Sequence, residues 1–184
     1  SVALDSIGTA AKVALIGESD LKTASEDLVG VLDIFGMHSD QPKVLASNFQ
    51  RAGDVMAYVA NETKANMHDV AESFKNVIGV TEAYGAQLDT VAALTEKFGK
   101  AGVVGPKAGT FTRNFLDEAL GLGTKKSQGI RDALGLEQFD KSKHDVEKYI
   151  DNLVKKLREL NATSQTAAIE GMFGERGQRL IRIM

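Results

Sequence analysis

Apolar residues recur along this chain at intervals of three and four, and no stretch alternates convincingly with period two. The pattern therefore predicts helices throughout. Thr23-Ala-Ser-Glu26 reads as a capping box opening a helix with Leu28, Val31, Leu32 and Phe35 on one face, closed by Gly36 in the left-handed conformation. Asp40 reads as the cap of the next helix, with Pro42 in its first turn and Leu45, Phe49, Ala52, Met56 and Val59 on one stripe. Asp69 to Tyr84 places Val70, Phe74, Val77, Thr81 and Tyr84 on one face and stops at Gly85. A helix over Leu88–Phe98 follows, then a turn, then Thr110–Leu120 and a short Ser127–Leu134 closed by Gly135.

The clearest amphipath begins at Ser142-Lys-His-Asp145 and carries Val146, Tyr149, Ile150, Leu153, Val154, Leu157 and Leu160. Its mixed polar face and lack of aromatic anchors fit a core or a partner-helix seam better than a membrane surface. A last pair, Ala167–Phe173 and about Gln178–Met184, hinges at Gly174 and Gly177. The expectation is an all-α bundle of about eight to ten helices joined by glycine turns. The chain loosens at Gly121-Leu-Gly123-Thr-Lys-Lys126, which suggests a helical core over 1–122 and a C-terminal lobe over 123–184, separate or part of one domain.

The turn after Phe98 is the most informative stretch: Gly102-Val-Val-Gly105-Pro-Lys-Ala-Gly109-Thr110-Phe-Thr-Arg113. Glycines at this spacing specify a tight helix-to-helix corner where backbones approach closely, because only glycine takes positive φ without strain. A phosphate-binding loop would need Gly-Lys-Ser/Thr in that order after a strand. Here Lys107 precedes Ala-Gly-Thr and a helix comes first, so the corner reads as a packing device.

Composition narrows the chemistry. A chain of 184 residues buries roughly 70% of its unfolded surface, ample for a core. It has no cysteine, which excludes disulfides, thiolate metal sites and cysteine nucleophiles. The apolar runs are too short to span a bilayer, and no basic segment leads into an apolar one as in a signal peptide. The first residue is Ser1 rather than Met, which suggests a piece of something larger. Residues 1–100 hold 8 Lys+Arg against 14 Asp+Glu, net −6, and residues 101–184 hold 14 against 11, net +3. That spread does not make the concentrated basic face of a nucleic-acid binder, although an acidic half and a basic half attract each other or successive copies weakly.

Candidate chemistry is sparse. His68 and Glu72 stand one helical turn apart but lack a third ligand in the sequence pattern, so they read as a solvated pair. His38 follows a helix end, where the C-terminal dipole accounts for it, and His144 sits in the first turn of a helix, exposed. Adjacent carboxylates such as Asp117-Glu118 point about 100° apart on a helix and do not share a substrate. No triad, cofactor site or metal site is read from these residues.

Reading outward from the corner, an ordered set of motifs emerges. It runs Val80-Thr-Glu-Ala-Tyr84-Gly85, Val91-Ala-Ala-Leu94, Ala101-Gly102-Val-Val-Gly105, Ala108-Gly109-Thr110 and Arg113. Leu134-Gly135-Leu136, Phe139-Asp140-Lys141 and Met172-Phe173-Gly174-Glu-Arg176-Gly177 follow. In order and spacing this resembles the core region of phage tail tape-measure proteins, from about residue 25 to the end. Phe111-Thr112 stands where that family favours small and aliphatic residues, and Pro106-Lys107 replaces its more usual polar pairs.

The resemblance implies a non-enzymatic structural protein of a phage or prophage tail. It would set tail length from within the tube and leave ahead of the genome. It implies contacts with tail-tube, tail-chaperone and tail-tip proteins and self-association in the full-length protein, with no cofactor. Gly85, Gly102, Gly105, Ala108, Gly109, Thr110, Arg113, Phe173 and Gly174 then stand as structural motif positions, not catalytic ones. A helical adaptor with no viral role is the rival reading. A third, a nucleotide enzyme built on the Gly102–Thr110 loop, would require Lys107 to bind phosphate.

Overall fold

A computed structural model describes the backbone of residues 2–16, 20–121 and 123–183, and side chains within 4–174 apart from 6, 16–19 and 122. The described residues form ten helices joined by turns and loops, with no strand among them. They are α1 (Val2–Ile16), α2 (Leu21–Ile34), α3 (Pro42–Glu62), α4 (Met67–Lys75) and α5 (Ile78–Tyr84). Then come α6 (Leu88–Lys100), α7 (Pro106–Leu120), α8 (Lys125–Ala133), α9 (Val146–Arg158) and α10 (Ala162–Ile183). The all-α expectation holds.

Local chemistry sets where helices start and stop, and several boundaries move from the sequence expectation. The first cap is Asp20, whose side chain accepts from the Thr23 amide, so α2 begins before the Thr23-Ala-Ser-Glu26 box. Gln41, not Asp40, occupies the cap position of α3, with Pro42 at the start as expected. The single helix expected over Asp69–Tyr84 is two. Asn66 and Asp69 form a reciprocal capping box that starts α4, and a turn at Asn76-Val77 separates it from α5. Val77 and Phe74 are nonetheless both fully buried, which is why one apolar periodicity ran through the break. Gly36, Gly85 and Gly135 take positive φ of 60°, 72° and 66° and end their helices as expected. Asp145 caps α9 through the Lys148 amide.

Packing joins α1 to α3 and α2, α2 to α4, α3 to α6, and α4 to α7. The C-terminal helices converge on α7: α9 and α10 both touch it, and α10 also packs on α8. Leu28, Leu32, Met56, Phe74, Leu116 and Leu153 are fully buried and tie these helices into one apolar cluster. Each such side chain contributes about 1.5–3 kcal/mol over an exposed one. The expected α9 stripe is the buried one, from Val146 to Leu157, with Leu160 partly buried. α10 is interrupted at Gly174, where φ is 67° and ψ is −176°, matching the expected hinge. The backbone at Gly177 is helical, so no second hinge forms there, and Met184 lies outside the described residues.

Candidate functional site

The corner between α6 and α7 is built by backbone geometry. At the end of α6 the Gly102 amide donates to the Gly99 carbonyl at 2.8 Å and Val103 donates to Phe98 at 2.9 Å. This is the double closure that a residue in left-handed conformation permits, and Gly102 supplies it at φ 85°. Gly105 follows at φ 63°, ψ −151°, a region open essentially to glycine alone. Its carbonyl then accepts from the Ala108 and Gly109 amides, and Pro106 leads α7, where its missing N–H costs nothing.

Gly109 plays a different part. Its φ is ordinary, but a Cβ placed there would lie 2.7 Å from the Ser73 carbonyl carbon and 2.9 Å from its Cα. The backbones of α7 and α4 thus meet at Gly109 and Ser73, closer than any side chain allows. Ala108 is fully buried beside it. Ser73, also fully buried, turns its hydroxyl back to the Val70 carbonyl, so this close approach strands no polar group. Asn76 crosses the same seam, donating to the Pro106 carbonyl at 3.3 Å. One turn along α7, Thr112 meets Thr95 of α6 at 3.5 Å between hydroxyl oxygens, both buried.

The remaining motif positions separate. Thr110 returns its hydroxyl to the Pro106 carbonyl at 3.1 Å, and Arg113 is exposed. Gly85 closes α5, away from the corner in sequence and role. Phe173 reaches α7 by stacking on Phe115 at 4.9 Å, just before the break at Gly174. Structure thus gathers Gly102, Gly105, Ala108 and Gly109 into one joint and puts Phe173 against the far end of α7. Lys107 is exposed, and the amides that a phosphate would need at 108 and 109 are already bonded to Gly105. That arrangement fits a joint and not a phosphate cradle.

A cleft of about 920 Å³ opens beside α7, floored by Phe98, Phe111, Phe115 and Phe173 and edged by Asp117 and Glu118. The two carboxylates are held by different elements. Asp117 accepts from the Tyr84 hydroxyl at 3.3 Å, while Glu118 accepts from the Thr124 amide at 3.0 Å. Burial pushes the Asp117 carboxyl above its usual range. Arg131 of α8, a buried cation, donates to the Glu118 carbonyl and fastens α8 to α7.

The histidines differ from expectation. His38 pairs with the Asp33 carboxylate at 2.6 Å and not with a helix end. His144 is half-buried: its Nδ1 accepts from the Asp140 amide at 3.0 Å, and its ring clusters with those of Phe139 and Tyr149, which also touch each other. His68 is not merely solvated beside Glu72. Asp27 of α2, a buried carboxylate that no local spacing could flag, stands 2.8 Å from its Nδ1. Glu72 lies 4.0 Å from the opposite nitrogen, and Lys75 contacts Glu72 and approaches Asp27 to 3.9 Å.

Asp27, His68 and Glu72 could be taken as three metal ligands. In this structure, however, Nδ1 is hydrogen-bonded to Asp27 and the opposite nitrogen faces Glu72, so the imidazole bridges the two carboxylates. Lys75 already supplies the neutralising cation. The group is an ion-paired network between α2 and α4, with the His68 pKa raised chiefly by its hydrogen bond to Asp27. Among the described residues no helix is long and apolar enough to cross a membrane.

Comparison with known proteins supplies what geometry alone does not. The model of a family described as phage-related minor tail protein matches residues 2–174. The chain is also similar to a tape measure protein of Pneumococcus phage Dp-1, 27% identical over 180 residues. That match takes in 98% of this chain but only 14% of the phage protein's length. No solved structure matches.

Proposed function

The chain belongs to the phage-related minor tail protein family, and from that premise we propose that it is a folded helical module of a tape-measure protein, acting in tail assembly, tail-length determination and genome delivery. The carrying observation is the likeness to the Dp-1 tape measure protein along nearly the whole chain. The same match favours the tail role over the rival adaptor reading. Since the chain spans 14% of that relative, the measuring length would lie elsewhere in the parent protein.

The reading is of a non-enzymatic part whose corner residues serve packing. Gly102, Gly105, Ala108 and Gly109 fix the α6–α7 joint against α4, and Phe173 with Gly174 docks and redirects α10. Residues 1–122 would form the core and 123–184 a lobe leaning on α7. Tail-tube, tail-chaperone and tail-tip proteins and further copies of the parent are the proposed partners. The tail lumen is the proposed location, and the host cytoplasm during assembly. Length measurement needs no catalytic group, only a fixed rise of about 1.5 Å per helical residue. In-frame deletion of helical blocks outside this module should shorten tails in proportion, as measured by electron microscopy. Tails of unchanged length would defeat the assignment.

A further inference from the structure

α1 carries two apolar faces, and the fold uses one. Ala10 and Val13 are buried against the bundle, where α1 packs on α3 and α2. Leu4, Ile7 and Leu15, exposed by 68%, 55% and 81%, lie with Gly8 and Ala11 along the opposite side. At 100° per residue these five positions fall within about 100° of arc, a continuous stripe. The stripe is large at its ends and small in its middle, and a Cβ at Gly8 would meet nothing within 4 Å. A second helix can therefore settle closely at the centre while the leucines clasp it from either side.

Charge identifies the occupant. Asp5 and Lys12 are the charged residues of α1, and both project from the same edge of the stripe, two turns apart. Consider a second α1 laid antiparallel about a two-fold axis through the middle of the stripe. The two copies then share that edge, and Asp5 of each lies beside Lys12 of the other. Parallel pairing would put the charged edges on opposite sides, where they cannot meet. A lipid surface is a poor alternative, because α1 has no net charge from these residues and no basic face.

We propose that α1 is a self-pairing surface, joining two copies of this chain antiparallel through Leu4, Ile7, Gly8, Ala11 and Leu15, with reciprocal Asp5–Lys12 pairs. The proposal does not depend on the tail role. One helix face covers less than a standard interface, so the isolated chain pairs weakly and requires high concentration.

Sedimentation equilibrium of the full chain, carried to millimolar concentration, tests this. Wild type should dimerise, and Leu15→Lys should remain monomeric with unchanged helical circular dichroism. Asp5→Lys and Lys12→Asp should each weaken pairing about threefold to tenfold at low salt. Mixing those two variants should restore it, since the heterodimer regains both opposite-charge contacts. A monomeric wild type, a dimer indifferent to Leu15→Lys, or a mixture no tighter than its components would overturn the proposal. So would Leu15-dependent sedimentation of the monomer with phosphatidylcholine–phosphatidylglycerol vesicles, which would assign the face to lipid.

Discussion

Gly109→Ala adds one methyl group at the point where α7 touches α4. The new carbon would stand 2.7 Å from the Ser73 carbonyl carbon, where ordinary contact lies at about 3.5–4.0 Å. Its nearest neighbour would be the Ser73 carbonyl oxygen, backbone with no rotamer to yield, so α7 must lift by more than about 1 Å. A gap of that size forfeits about half or more of each dispersion contact across the seam. Val70, Phe74, Ala108 and Leu116, all buried on these two helices, would share the loss. Overpacking of this kind costs about 1–3 kcal/mol, and a rigid backbone neighbour places it at the upper end. Alanine returns about 1 kcal/mol of helix propensity. The net expectation is about 2 kcal/mol of destabilisation, a fall in Tm of about 4–8 °C at this chain length. Urea denaturation with an unchanged m value is the assay. Gly129→Ala is the control, because a Cβ at that exposed position in α8 meets nothing within 4 Å. It should gain about 0.5–1 kcal/mol. If Gly109→Ala proves as stable as wild type, the close approach is not real and the packing argument fails.

Two further substitutions probe separate features. Gly105→Ala forces a side chain into φ 63°, ψ −151°, beside the Asp69 carboxylate at 3.3 Å, and should cost about 1–3 kcal/mol by the same denaturation assay. His68 carries a raised pKa, so its contribution is complete below about pH 6.5 and is lost as pH rises through the higher folded value. With the side chain 47% exposed, the effect should be held to about 1 kcal/mol or less. Thermal melts from pH 5 to 9 should show this decline in wild type and lose it in His68→Gln; an identical profile in both would remove His68 as its source.

Sequence made the helices and the corner legible because both are local. A stripe such as Val146 to Leu157 needs only the helical period, and Gly102 and Gly105 need only glycine's conformational freedom. The single helix expected over Asp69–Tyr84 failed because Val77 continues the apolar stripe across a turn, so periodicity alone does not register the break. The Asn66–Asp69 capping box was there to be read and marks the true start of α4. Asp27 and Arg131 were opaque for another reason. Each is a charged residue on an otherwise ordinary helix, and its burial depends on which helix packs above it. Gly109 was noted as part of a turn, yet its role is contact between helices whose meeting points lie 36 residues apart, a relation no local spacing contains.

Native-state hydrogen exchange on the intact chain tests most directly whether the glycine corner is the joint that holds the bundle. The amides of α4 near Ser73 and of α7 from Gly109 to Leu116 should be among the slowest, exchanging together with the free energy of global unfolding. Fast exchange in α7 while α4 stays protected would show that the two helices open independently, and the corner would then be a mere connection between them.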